Sequence, residues 1–150
     1  MVLFTHNHKL QKFNDVAEIF HSFCLERYEF YNRRKLYKIK ILERQIRITK
    51  NRLRFLQLIL SNELILNKYN DNQEINHVLE KMKFQKDDTN SYTYLLNIPI
   101  RQMTKSRIVE IENEINNLIN ELNQLNKISL GELWKCDINK FKDDLQKNKT

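Results

Sequence analysis

From Asp15 to Ser61 the sequence has no glycine and no proline, and the whole chain of 150 residues has one of each, Gly131 and Pro99. Chain reversals depend on those residue types more than on any others, so few reversals are encoded. That favours long helices with a small head over a bundle with many turns. Within the breaker-free stretch, Ile39, Leu42, Ile46, Thr49, Leu53, Leu56 and Leu60 alternate in spacings of three and four, which is the seam of a helix that packs lengthwise on another.

A matching seam follows later, through Ile108, Ile111, Ile115, Leu118, Leu122 and Leu125. Helix starts are marked before both seams. Asp15 and Glu18 form a capping box, and Thr104 caps the second helix. An antiparallel two-stranded coiled coil is the economical arrangement, with the residues between the seams forming a head.

"VLFTHNHKLQKF" is β-prone and holds a polar turn, predicting a strand or hairpin that lacks an evident sheet partner. Leu64 to Asn67 reads as a short strand. A short amphipathic helix through Ile75, Val78, Leu79 and Met82 is expected to start at Asn72, and "QKDDTNS" is a polar loop. In "TYLLNIPIRQMTK", Pro99 lacks an N–H donor and biases Ile98 away from helical geometry, so the chain is expected to be extended before Thr104 restarts the helix. Ser129 and Glu132 form another capping box opening a short helix with Leu133 and Trp134. Asp137 is expected to cap a last one through Ile138, Phe141 and Leu145.

The fold class that results is mainly α: a long antiparallel two-helix coiled coil with a small α/β head at its tip, a short N-terminal strand and short C-terminal helices. The expected organisation is an N-terminal strand and turn at 1–14, a basic arm at 15–52, the head at 53–103, the returning arm at 104–127 and short helices at 128–150.

Charge is concentrated in one element. Eleven Lys/Arg lie between Arg27 and Arg54 against two acids, Glu29 and Glu43, whereas the net charge of the whole chain is only +7. Lys105 to Asn126 carries two basic and four acidic residues, so part of the basic face can neutralise the returning helix. The remainder suits an anionic partner.

Other chemistries find little support. Cys24 and Cys136 are far apart without ligand spacing, which fits reduced thiols in an intracellular protein. No apolar run approaches the roughly 20 residues that span a bilayer, and the start has too short an apolar run for a signal peptide, so a soluble, non-secreted chain is expected. His6 and His8 are two residues apart, but no Cys or Asp/Glu pair joins them, so no metal site is expected. The only glycine is Gly131, which excludes a Gly-rich phosphate loop. Tyr28, Tyr31 and Tyr37 sit at helical spacing and read as packing residues, with Tyr92 and Tyr94 in the head. No catalytic residue is assigned.

"YLLNIPIRQMTK" resembles the stretch that opens the returning coiled-coil helix of eukaryotic-type and large-DNA-virus type IIA DNA topoisomerases, through Tyr94, Leu95, Leu96, Pro99, Thr104 and Lys105. Ile98 stands where methionine is common in that family, and Met103 where leucine is usual. "RYEFYNRRK" is similar to the family's first arm through Arg27, Tyr31, Arg34 and Lys35, and "NRLRF" to its far end through Asn51, Arg54 and Phe55. "SLGELWKCDINKF" is similar to the segment after the return helix through Ser129, Leu133, Trp134, Lys135, Asp137 and Phe141, with Leu130 replacing a proline and Cys136 a glutamate. The resemblance covers residues 9 to 145, and its four stretches fall in the family's order.

The resemblance implies a coiled-coil arm and exit gate (C-gate) that follows the DNA-cleaving part of the enzyme, dimerising at the head and guiding the transported duplex. No stretch resembles the ATP-binding domain, the acidic metal-binding domain or the segment bearing the nucleophilic tyrosine. The chain alone is therefore expected to be inactive, with ATP and Mg²⁺ implied for the full-length enzyme only. Expected partners are a second copy, double-stranded DNA held weakly, and the rest of the topoisomerase. The expected location is intracellular: nucleus, cytoplasm or, for a virus, its factory. Arg33, Arg34, Lys38, Arg44 and Arg47 are the candidate DNA-guiding set. Phe55, Leu58, Ile59, Leu95, Leu96, Ile98 and Ile100 are candidates for the dimer contact, with burial inside a single head the alternative for each. A stand-alone basic coiled-coil protein that binds nucleic acid or acts as a scaffold is the alternative function.

Overall fold

A computed structural model describes residues 1–5, 7–69 and 71–147, with the side chain of Ile100 outside that set. The protein is mainly helical with one two-stranded sheet, in the order β1 (Val2–Phe4), β2 (Leu10–Lys12), α1 (Val16–Leu60), α2 (Asn72–Lys81), α3 (Thr93–Leu96), α4 (Lys105–Lys127) and α5 (Leu130–Lys147). It divides into two compact units, Met1–Lys40 with Gln124–Thr150, and Ile41–Asn123, so α1 and α4 each contribute to both.

In the first unit the opening strand finds its partner in the next few residues: β1 and β2 pair antiparallel, with Leu3 opposite Gln11. Of the strand or hairpin expected there, the structure forms the hairpin, and β2 is the sheet partner that was not evident. The start of α1 is capped as the sequence implies, the Glu18 N–H donating to Asp15 Oδ1 at 2.7 Å and the Glu18 carboxylate accepting from the Asn14 N–H at 2.8 Å. At the other end of this unit, Ser129 and Glu132 make their reciprocal bonds, but the two short helices expected after them are one continuous helix, α5. Asp137 lies in its interior, because its carboxylate is engaged by α1 instead of its own backbone.

In the second unit, Leu53 and Leu56 near the end of α1 pack with Ile108, Ile111 and Ile115 near the start of α4. The end of one helix beside the start of the next makes this an antiparallel pairing, as the two seams require. Above it sits the head core: Phe55, Leu64, Leu79, Phe84, Tyr92 and Leu95, with Phe55 and Phe84 edge to face at 6.2 Å between ring centroids. Ile98 packs against both clusters and joins them.

The head departs from the sequence reading in three places. Residues 64–67 are no strand; a 3₁₀ turn runs over Leu66–Lys68, so the described head residues are helices and loops with no α/β character. The cap of α2 is Asp71, whose carboxylate accepts from the Glu74 N–H at 2.8 Å, one residue before the expected Asn72. The stretch around Pro99 is less extended than expected: Thr93–Leu96 form one helical turn and Ile100–Gln102 a 3₁₀ turn, with the break confined to Asn97–Pro99. Proline restricts only the residue before it, which leaves the four preceding residues free to turn. Thr104 then opens α4, its hydroxyl accepting from the Arg107 N–H at 3.3 Å.

Reversals in a chain so poor in glycine are made by other residues. His8, Asn62, Lys83 and Asn90 all take positive φ, between 57° and 59°. Lys83 is the clearest case, since the Phe84 N–H donates to Leu79 O and the Lys83 N–H to Glu80 O, both at 2.9 Å. That is a Schellman ending for α2, with Phe84 and Leu79 both in the head core.

Candidate nucleic-acid-guiding helix and gate head

The five candidate guiding residues all lie on α1 and all are exposed. Arg33, Arg34 and Lys38 belong to the first unit, Arg44 and Arg47 to the second.

In the first unit, Arg33 pairs with Glu29 at 3.5 Å one turn back and stacks its guanidinium over Phe30 at 4.9 Å. Arg34 is drawn to α5, where it hydrogen-bonds Asp137. The same carboxylate oxygen accepts the Tyr31 hydroxyl at 2.7 Å, and the Tyr31 ring stacks on Trp134 with centroids 5.9 Å apart. Asp137 is held below the usual carboxylate range, first by the Tyr31 hydroxyl and then by Arg34. The Tyr31 hydroxyl is pushed up, first by burial and then by the bond to Asp137. Lys38 has no ion pair among the described residues; it lines a small cleft with Lys35 and Lys140. Lys35 reaches the end of α4, donating to the carbonyls of Asn126 at 3.1 Å and Ile128 at 2.7 Å, where helix-terminal carbonyls need donors.

In the second unit, Arg44 Nη2 lies 2.8 Å from Asp88 and Arg47 Nη2 lies 4.0 Å from it. Asp88 sits in the polar loop whose geometry is fixed by its neighbour. Asp87 Oδ1 accepts from the Thr89 N–H, the Thr89 hydroxyl and the Ser91 N–H at 3.0, 2.6 and 2.9 Å, which keeps its carboxyl below the ordinary range, the Thr89 hydroxyl contributing most. The loop is also tied through Tyr94, which donates to Gln85 O at 2.6 Å and accepts from Asn51 Nδ2 at 2.9 Å. Tyr94 has its hydroxyl pushed up chiefly by burial.

The ion pairs of α1 among the described residues therefore run to Glu29, Asp137 and Asp88, not to the acidic face of α4 that the charge pattern suggested. Asp88 and Asp137 were legible only as loop and cap residues. A lone acid near an arginine-rich helix carries no sequence mark of which arginine it will meet.

The candidate contact residues separate by burial. Phe55 and Leu95 are fully buried in their own head, so they hold it together and have no surface to offer a second copy. Leu58, Ile59, Leu96 and Ile98 are half-buried, packed against the core on one side with surface left on the other. The Ile100 side chain lies outside the described residues. So does His6, and with it the His6/His8 pair; among the described residues no three His, Cys, Asp or Glu side chains come together in a metal-binding group. No helix among the described residues is long and apolar enough to cross a membrane.

The pattern of the DNA gyrase/topoisomerase IV A-subunit family matches residues 1–141. DNA topoisomerase 2 of Plasmodium falciparum is 27% identical over 97% of the chain, and that of Invertebrate iridescent virus 6 is 28% identical over 92%. The chain spans 13% and 12% of those two relatives. The crystal structure of the Plasmodium falciparum topoisomerase II DNA-binding, cleavage and re-ligation domain superposes with a TM-score of 0.85 and 27% identity over 99% of this chain and 24% of that one. Such agreement in sequence and fold along nearly the whole length means that the chain belongs to the DNA gyrase/topoisomerase IV A-subunit family, within the type IIA DNA topoisomerases.

Proposed function

We propose that this chain is the coiled-coil and exit-gate module of an ATP-dependent type II DNA topoisomerase. In this reading two copies meet through their heads, and the transported duplex passes along the basic helix before release. The observation that carries it is the compact head of Phe55, Leu64, Leu79, Phe84, Tyr92 and Leu95 resting on the antiparallel α1–α4 pair, in a chain that superposes on a topoisomerase II cleavage and re-ligation domain. Half-buried Leu58, Ile59, Leu96 and Ile98 supply an apolar surface for a self-complementary contact, the kind that closes a dimer without forming fibres.

Guidance of DNA asks for weak, salt-sensitive attraction, because tight binding would hold the passing duplex. Arginines that already share their charge with carboxylates meet that requirement. ATP, Mg²⁺ and the DNA-cleaving tyrosine belong, on this reading, to the remainder of the enzyme, and the setting is intracellular, where DNA is.

Light scattering on the purified chain, paired with salt titrations of duplex binding, tests it. A dimer with weak duplex binding that fades as salt rises is expected. A monomer that binds nucleic acid tightly would instead favour a stand-alone basic coiled-coil protein.

A further inference from the structure

Arg44 and Arg47 are three residues apart on one face of α1, and a single carboxylate, Asp88, lies against both, at 2.8 and 4.0 Å. Its neighbour Asp87 spends its own carboxylate on Thr89 and Ser91, which fixes the loop so that Asp88 faces the helix. All three partners remain about half exposed, at 49%, 46% and 53% for the side chains of Arg44, Arg47 and Asp88. A DNA phosphodiester offers what this carboxylate offers, one negative charge shared over two oxygens, and guanidinium groups donate to either in the same forked geometry. Exposed ion pairs are weak, so a phosphate approaching from solvent can replace Asp88.

We propose that Asp88 is a built-in competitor for DNA phosphate at Arg44 and Arg47. It occupies the two arginines when no duplex is present, is displaced when one passes, and returns to speed release. The proposal rests on the DNA-guiding reading above and adds the device that keeps the hold weak.

Fluorescence anisotropy of a short labelled duplex, titrated with the full chain at low and physiological salt, tests it. Asp88→Asn should bind about two- to fivefold more tightly than wild type. Its salt dependence should steepen by about one in the slope of log K against log salt. Glu63→Gln makes the same change in net charge at an exposed acid with no ion pair among the described residues, and should gain less. In an Arg44→Gln/Arg47→Gln background the Asp88→Asn gain should fall to that of Glu63→Gln. Equal gains for Asp88→Asn and Glu63→Gln, or an excess over Glu63→Gln that survives loss of both arginines, would overturn the competitor while leaving DNA guidance standing. Absence of wild-type binding even at low salt would overturn DNA guidance itself, and the competitor with it.

Discussion

Tyr31 and Asp137 are 106 positions apart in the chain and share a hydrogen bond of 2.7 Å, donated by the phenol to the carboxylate. Tyr31 is almost wholly buried, and Trp134 stacks on its ring, so this bond joins α1 to α5 at a packed point of the first unit. Hydrogen bonds to a charged acceptor are worth more than neutral ones. Tyr31→Phe should therefore cost about 1.5–3 kcal/mol in urea unfolding at neutral pH, with the helical spectrum retained.

The same pair makes stability depend on pH in both directions. Asp137 has a lowered folded-state pKa, so its contribution is present above the unfolded carboxylate range, near about 3.9, and is lost as pH falls through the lower folded value. Tyr31 has a raised one, so its contribution is present below the unfolded phenol value, about 10, and is lost as pH rises through the higher folded value. Asp137→Asn should reduce the loss of stability on acidification, as read by unfolding midpoints from neutral pH downward. An acid limb identical to that of wild type would contradict this account of the pair.

Lys83 holds a left-handed backbone conformation at the end of α2, with φ 59°. Residues bearing a Cβ occupy that region at a cost of about 1–2 kcal/mol, which glycine avoids. Lys83→Gly should stabilise the chain by roughly 1 kcal/mol, since the Schellman bonds through Phe84 and Leu79 are backbone bonds and persist. Thermal unfolding gives the sign directly.

Leu95 is fully buried between the helical turn it belongs to and the rest of the head core. Leu95→Ala should cost about 2–5 kcal/mol, the range for emptying a core position of this kind, measured by denaturant unfolding. Protease cleavage within 61–103 should accelerate in the same variant, because the connecting loops rest on that core.

What the sequence made legible was the regular part. Spacings of three and four recur over both seams, and Asp15, Thr104 and Ser129 mark helix starts by short-range chemistry that survives into the fold. The losses came where a distant residue decided the outcome. Asp137 looks like a cap from its neighbours alone, and only Tyr31 and Arg34, brought in by tertiary packing, make it the middle of a helix. Leu64–Asn67 has strand-like composition, yet Leu64 is captured by the head core and its N–H bonds back to Leu58 O at 3.0 Å, which stops it from extending. Sparse glycine pointed to few turns, whereas Asn62, Lys83 and Asn90 made them at positive φ. Of the candidate site, the basic helix was plain from charge, and the acids that hold its arginines were not.

Sedimentation equilibrium of the chain at low micromolar concentration, beside a Leu58→Asp/Leu96→Asp variant and an Arg44→Gln/Arg47→Gln variant, tests the gate reading most directly. The expected result is a dimer for wild type and for the arginine variant, and a folded monomer, by circular dichroism, for the variant with charge on the head. A wild-type monomer, or a dimer that keeps its mass with both head aspartates in place, would contradict it.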